Sequence, residues 1–161
     1  MTWDRIVFVA TFLAAIGSGL IAGVFYAFST FVMRALAQRP PVEGMAAMQA
    51  INVAVINPLF LGAFLGTAGV CAVAAAGAVT RWEQPGSAYV LAGAALYVVG
   101  TFGVTMVCNV PLNNALATVA PTDPAAGALW ADYLRRWTTW NHVRTLAAAL
   151  AMAAFILALA D

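Results

Sequence analysis

Residues 6–33 read IVFVATFLAAIGSGLIAGVFYAFSTFVM, a run without a single charged side chain. About 20 mostly apolar residues are enough for a helix to cross a bilayer, so this run alone predicts a membrane-spanning helix. Three further uncharged runs occupy residues 44–80, 84–122 and 145–160, and residues 140–143 lengthen the last one. A soluble bundle would show a polar face on each helix, and these runs have none. The sequence therefore predicts an all-α fold, in which one domain over residues 1–161 forms an up-down bundle of four transmembrane helices.

The composition agrees with a membrane protein. Hydrophobic residues make up 64% of the 161 residues and charged residues only 8%, against roughly 25% charged residues in a soluble domain. The net charge of +1 gives no reason to expect nucleic-acid binding, which depends on many cations that neutralise phosphates. We therefore expect an integral membrane protein, in the cell (inner) membrane, whose surroundings are the lipid bilayer.

Turn residues set the expected helix boundaries. A turn with Pro40 and Pro41 follows the first helix. A short amphipathic helix leads from Glu43 towards Pro58, which begins or kinks the spanning part of helix two. The expected spans are 4–35 for helix one, 58–79 for helix two, 88–108 for helix three, 128–136 for a short surface helix and 138–159 for helix four.

A stripe of small residues marks one face of helix one. Ala15, Gly19, Gly23 and Ala27 recur at four-residue spacing. Small residues let two helix backbones approach closely in lipid, where packing rather than hydrophobicity holds helices together. We expect this face to pack against another helix of the bundle, or against a second copy in a homo-oligomer.

The few polar residues of the spanning regions concentrate at one end of the predicted bundle. Four helices with short loops alternate in direction, so the end of helix one, the start of helix two, the end of helix three and the start of helix four share one side of the membrane. The polar residues at these ends, here called the polar end, are Tyr26, Ser29, Arg34, Gln49, Asn52, Asn57, Asn109, Asn113, Trp140, Asn141, His142 and Arg144. The arginine excess on this side predicts that the polar end faces the cytoplasm.

The polar end contains a possible base and a fixed cation. His142 is the only histidine and is expected to act as general base, while Arg144 and the amides of Asn141, Asn109 and Asn113 stabilise developing negative charge. Trp137, Asn141 and Arg144 share one helical face, although a tryptophan near a membrane interface is also ordinary composition. His142 lies about 100° from Asn141 in helical projection.

Aromatic and amide side chains near this group are candidates for binding an apolar substrate. Trp140 is four residues before Arg144, which allows the guanidinium to stack on the indole. Phe25 and Tyr26 offer flat apolar walls, and Asn52 and Asn57 offer amides. The full set of expected substrate-binding residues is Trp140, Tyr26, Phe25, Asn52 and Asn57.

Metal sites are not expected. The spanning regions contain no acidic residue, and one histidine cannot form a multi-histidine site. No cofactor is expected either, although haem with His142 as its single axial ligand remains open.

Four stretches of the chain carry a resemblance to a known family. They are GVFYAFSTFVMRAL (23–36), AMQAINVAVINPLF (47–60), GTFGVTMVCNVPLNNAL (100–116) and WTTWNHVRT (137–145). Together they resemble the DUF1772, or anthrone oxygenase-like, membrane-protein family over nearly the whole chain. The resemblance implies a small four-helix membrane protein that oxidises an anthrone to an anthraquinone with O₂ and without an obvious cofactor. It places Asn109, Asn113, Trp140, Asn141, His142 and Arg144 on motif positions.

Two kinds of function follow from these patterns. The first is a membrane oxygenase that oxidises a hydrophobic aromatic substrate, anthrone- or hydroquinone-like, with His142 as general base. The alternative is a non-enzymatic membrane module, such as a quinone-binding or small-molecule transport protein. An aromatic-walled pocket that touches His142 would favour the enzyme, and a polar path through the bundle would favour the transporter.

Overall fold

The computed structural model describes residues 2–123 and 126–161, and this part of the chain is helical without any strand. Two helices are uninterrupted α-helices in the first half: α2 over Pro41–Ala54 and α3 over Pro58–Thr80. Helix α1 is α-helical over Trp3–Ala27, π-helical over Phe28–Val32 and α-helical again over Met33–Ala37.

The second half of the chain forms two long helices. Helix α4 is α-helical over Ser87–Ala95, π-helical over Leu96–Gly103 and Thr105–Asn109, and α-helical over Val110–Ala117. Helix α5 is continuous over Ala126–Ala160. Helices α1, α3, α4 and α5 are each long and apolar enough to cross a membrane, which confirms the predicted all-α bundle of four transmembrane helices.

Close contacts fix the antiparallel packing of neighbouring helices. A Cβ added to Gly17 of α1 would overlap the side chain of Thr67 of α3, whereas Gly77 at the other end of α3 lies against Val7. The order of these contacts runs in opposite directions along the two helices. The same reversal relates α5 to α1 and to α4, so the four spanning helices run up, down, up and down as predicted.

The bundle buries an aromatic core and exposes an apolar outer surface. Phe25, Phe64, Tyr97 and Phe155 are buried at the centre, where the Tyr97 hydroxyl donates a hydrogen bond to the Phe64 carbonyl at 3.0 Å. This hydrogen bond satisfies the Tyr97 hydroxyl inside the bundle, where no water is at hand to do so. Large exposed side chains recur every four residues on α1, at Phe8, Phe12, Ile16 and Leu20. This face is suited to contact with lipid.

The small-residue stripe of α1 divides between an inner and an outer surface. Gly19 lies beside the end of the Met152 side chain of α5, within 2.7 Å of where a Cβ would sit. Gly23 is exposed, and a Cβ there would meet no described atom within 4 Å. Within one chain, the predicted close packing is thus present at Gly19 and absent at Gly23.

Two expected helix boundaries were wrong. The predicted surface helix and helix four form the single helix α5. The charges of Arg135 and Arg136 suggested a break there, but the helix extends beyond the apolar run and includes both residues. Helix three continues past the expected end at Cys108 as far as Ala117. Pro111 is tolerated because it begins the α-helical segment that follows a π-helical turn, a position where its missing amide costs little.

The lead-in helix α2 lies against the polar end of the bundle. Its buried face carries Met45 and Met48, while Glu43 is exposed. Asn57 then caps α3, since its Oδ1 accepts hydrogen bonds from the backbone amides of Leu59 and Phe60 at 3.1 and 3.0 Å. Asn57, expected to bind substrate, therefore acts as a helix cap followed by Pro58 at the first helical position.

Candidate functional site

A buried arginine is the centre of the polar end. Arg144 of α5 is only 4% exposed. Its Nη2 donates to Asn141 Oδ1 at 2.7 Å and its Nη1 donates to Thr105 Oγ1 of α4 at 3.2 Å. Its Nε is buried without a hydrogen-bond partner. The Nε–H donor thus has no partner among the described residues, an exception that calls for an explanation in a native structure.

Within the described part of the chain, no carboxylate forms an ion pair with Arg144. Over residues 2–123 and 126–161, the ion pairs join carboxylates to Arg39, Arg81, Arg135 and Arg136. None reaches Arg144. A cation buried in this way, inside a membrane protein, is costly to keep and usually marks a site for a charged ligand.

Two aromatic rings enclose the guanidinium. Its central carbon lies 4.1 Å from the centroid of the Phe25 ring and 5.0 Å from that of Trp137. Ring faces attract a cation and hold its plane in place. The stacking predicted for Trp140 is therefore made by Trp137 and Phe25, while Trp140 is 38% exposed.

Asn141 fixes the position of Arg144. Its amide is fully buried, and its Nδ2 donates to the Phe25 carbonyl and to Ser29 Oγ, both at 2.7 Å. The carboxamide oxygen is thereby turned towards Arg144. Ser29 lies in the π-helical turn of α1, and such turns are frequent at functional sites.

A second hydrogen-bonded group lies beside the arginine. Asn113 Oδ1 accepts hydrogen bonds from the Tyr133 hydroxyl and from Trp137 Nε1, both at 2.8 Å. Asn52 of α2 donates to the Tyr133 hydroxyl at 3.5 Å. These contacts tie α2, α4 and α5 together at the polar end.

Asn109 lies in the same region and is the last residue of a π-helical turn of α4. Its Nδ2 donates to the Trp137 carbonyl at 3.1 Å. Its buried Oδ1 has no partner. With Arg144 Nε, this gives one unpaired donor and one unpaired acceptor among the buried atoms of the polar end.

These side chains border an apolar cavity of about 420 Å³, within the size range of small-molecule sites. Arg144 is the only charged residue among the described residues that line it. Ile56, Leu65 and Met106 are exposed residues at its rim. The other lining residues are Val24, Phe25, Phe28, Met48, Ile51, Asn52, Val55, Phe60, Leu61, Phe64, Thr105, Val110, Asn113 and Trp137.

The structure divides the predicted site residues into two groups. In the first group, Phe25, Asn52, Asn113 and Arg144 line the cavity. Asn109 and Asn141 belong to this group too, because their hydrogen bonds to Trp137 and Arg144 hold the polar wall of the cavity in place.

The others lie elsewhere. His142 is exposed and lines a separate groove on the outer surface of α1 and α5. Tyr26 is 61% exposed and, like Trp140, does not line the cavity. The expected pocket is thus aromatic-walled, but it touches Arg144 rather than His142.

Sequence reasoning missed Thr105 and Tyr133, and it placed Trp137 on the helical face of Asn141 and Arg144 without giving it a role in the site. A signal for Tyr133 was present. Tyr133, Trp137, Asn141 and Arg144 follow a three-or-four-residue spacing that puts them on one helix face, and all four are buried. The expected break before helix four hid this continuity. No comparable pattern marks Thr105, because Thr105 joins the polar wall of the cavity only when α4 packs on α5.

The arrangement favours binding of a flat, apolar molecule that carries one negatively charged oxygen. The aromatic walls accept the ring system, and the guanidinium meets the oxygen in mostly apolar surroundings. Ionic hydrogen bonds are strong in such surroundings.

Comparison with known proteins supports a specific family. Residues 45–154 match the model of the family described as anthrone oxygenase, also called DUF1772. The matched region is about two thirds of the chain. It covers α3, α4 and most of α2 and α5, with every cavity-lining residue except those of α1. No curated protein and no solved structure matches the chain significantly. By this match, the chain belongs to the anthrone oxygenase family and is an integral membrane protein with an oxygenase-like function.

Proposed function

We propose that this protein oxidises a hydrophobic, acidic aromatic compound, an anthrone or a related hydroquinone, with O₂ in the cavity beside Arg144. The observation that carries the proposal is the buried guanidinium without a carboxylate partner in an apolar, aromatic-walled cavity. The family match supports the reaction class, and the cavity supports the substrate class.

The charge of Arg144 explains why an acidic aromatic fits best. Loss of a proton from an anthrone gives a planar anion with its charge on the ring oxygen. A nearby cation favours the charged form of an acid. Arg144 therefore lowers the free energy of the deprotonated substrate, and Phe25 and Trp137 keep the guanidinium aligned.

The oxidation then balances with O₂ alone. The anthrone loses one C–H proton to water, and the resulting anion passes one electron to O₂. The carbon radical and superoxide combine to form a C–O bond. Loss of the second C–H proton with cleavage of the O–O bond leaves the ketone, and the second oxygen atom leaves as water. Arg144 stabilises the negative charge at the start of this sequence, as oxyanion-binding groups do in other enzymes.

The sequence predicts that His142 is the general base, whereas the structure places His142 outside the cavity. The general-base role expected for His142 stays a prediction, and His142 lines the separate groove on the outer surface of α1 and α5 instead of the cavity. In the present proposal water accepts the proton, because Arg144 is the only ionisable side chain that lines the cavity in the described part of the chain.

The experiment measures oxygen consumption by purified protein with a panel of anthrones and hydroquinones. Arg144→Gln should lower kcat/KM by roughly 10²–10³, the usual effect of removing one oxyanion-stabilising donor. Arg136→Gln is the matched control, since Arg136 lies on the same helix, is exposed and does not line the cavity. Its rate should equal that of the wild type.

Two results would overturn the proposal. An unchanged rate in Arg144→Gln would remove the guanidinium from the reaction. A loss of roughly 10²–10⁴ in His142→Ala, the range for a general base, together with a normal rate in Arg144→Gln, would transfer the chemistry to His142. If the wild type binds the aromatic compounds without consuming oxygen, the protein is a binding module instead.

A further inference from the structure

The outer surface of the polar end contains a second concave region, separate from the cavity. It is a groove between the end of α1 and the first half of α5, with a volume of about 500 Å³. We refer to it as the outer groove, and its lining includes Met33, Arg34, Leu134, Arg135, Thr138 and His142.

Three hydrogen-bond donors in the outer groove have no partner within the described chain. They are the guanidinium of Arg34, the hydroxyl of Thr138 and the imidazole of His142. The neighbouring hydroxyls are already used: Thr30 donates to the Tyr26 carbonyl and Thr139 to the Arg135 carbonyl. Donors that remain free on three separate side chains can converge on one oxygen-rich group.

The charge around the outer groove is positive. Arg135 and Arg136 share one carboxylate, that of Asp132, at 2.6 and 3.4 Å. Arg34 forms no ion pair with any carboxylate of the described residues. The two helix ends therefore carry more cationic than anionic side chains, which favours a negatively charged ligand.

The position of the outer groove indicates a lipid rather than a soluble anion. Arg34 is the first charged residue after the uncharged run 6–33, so the groove lies where α1 leaves the hydrocarbon core. Apolar side chains of Met33, Ala37 and Leu134 share the lining with the free donors. Basic pockets between transmembrane helices commonly bind anionic lipid head groups.

We propose that the outer groove binds the phosphodiester head group of an anionic phospholipid, held by Arg34, Thr138 and His142. This site is independent of the cavity beside Arg144 and of the reaction proposed there. It gives His142 a ligand-binding role at the membrane surface.

The test measures the melting temperature of the detergent-purified full-length chain with three additions: phosphatidylglycerol, phosphatidylcholine and inorganic phosphate. A ligand that binds only the folded state raises the melting temperature as its concentration exceeds its Kd. We expect a rise with phosphatidylglycerol, a smaller one or none with phosphatidylcholine, and none with inorganic phosphate.

Variants then locate the effect. Arg34→Gln and His142→Gln should each weaken phosphatidylglycerol binding roughly tenfold or more, the usual effect of losing a hydrogen bond to a charged group. Arg39→Gln should bind normally, since Arg39 pairs with Glu43 and does not line the groove. Native mass spectrometry of the same samples counts the lipids that each variant retains.

Each contrary result overturns the proposal. Equal stabilisation of Arg34→Gln, His142→Gln and wild type by phosphatidylglycerol would place the lipid elsewhere. An equal shift with inorganic phosphate would make this a small-anion site, and equal shifts with both lipids would show general solvation by lipid. Because Arg34 and His142 are exposed, their substitution should leave the fold intact, which the melting temperature without lipid verifies.

Discussion

At the scale of single residues, the unusual feature is a full positive charge held by neutral groups alone. Asn141 and Thr105 supply dipoles and Phe25 and Trp137 supply ring faces, but none cancels the charge of Arg144. A buried charge without a charged partner is costly to the stability of a protein. The retention of Arg144 in the interior therefore indicates a function that needs the charge.

The role of this charge can be tested without removing Arg144. Thr105→Asp would place a carboxylate within reach of Nη1, whereas Thr105→Asn would place an uncharged group of the same shape there. We expect the Asp variant to keep its melting temperature and to lose roughly 10²–10³ in kcat/KM, because the new ion pair neutralises the guanidinium. The Asn variant should retain most of the rate. Equal oxygen consumption by the two variants would contradict a role for the charge.

Residue patterns in the sequence predicted part of the polar end. The convergence of Asn52, Asn109, Asn141 and Arg144 follows from alternating helix directions and is present in the structure. The separation of His142 from Arg144 also follows from geometry, since residues two apart on a helix do not face each other. His142 and Arg144 were nevertheless expected in one site because they are close in the sequence. The unpaired state of Arg144 could not be predicted, because it depends on where every carboxylate of the fold lies.

At the scale of elements, π-helical turns border the site on two helices. One contains Ser29 of α1, and another contains Thr105 and Asn109 of α4. A wider turn shifts the register of all later side chains, so it decides which residues face inward. No residue pattern in the sequence marks these turns, which explains why helix three was expected to end before Pro111.

Helix packing gives a prediction with a matched pair on α1. Gly17→Leu should destabilise the bundle by about 1–3 kcal/mol or more, because the new side chain would overlap Thr67 of α3. Gly23→Leu should change the stability of a single chain little, because no described atom lies near its added Cβ. Thermal unfolding in mild detergent compares the two. A marked loss of stability in Gly23→Leu, dependent on protein concentration, would instead indicate a homo-oligomer through this face.

At the scale of the whole molecule, the two ends of the bundle differ in charge. The polar end carries Arg34 in the last turns of α1, Arg39 just after α1, and Arg135 and Arg136 ahead of the apolar run of α5. The opposite end carries Arg5 and Arg81. Since arginines near short loops are retained on the cytoplasmic side, we propose that the polar end faces the cytoplasm.

Cysteine labelling in intact cells tests this orientation. Thr122→Cys lies at the polar end and Gln84→Cys at the other, and both positions are exposed. A membrane-impermeant maleimide should label Gln84→Cys and leave Thr122→Cys unlabelled until the cells are opened. The wild type, with Cys71 buried and Cys108 partly buried, gives the background. Labelling of Thr122→Cys from outside would reverse the orientation.

The apolar rim of the cavity has a consequence for kinetics. Ile56 is 67%, Leu65 50% and Met106 49% exposed, so the opening is made of side chains that favour the acyl-chain region over water. A substrate that enters there comes from the lipid bilayer. Its mole fraction in the bilayer, and not its concentration in bulk water, therefore sets the rate. In vesicles, adding inert lipid at constant substrate should slow turnover in proportion, whereas diluting the aqueous phase should not.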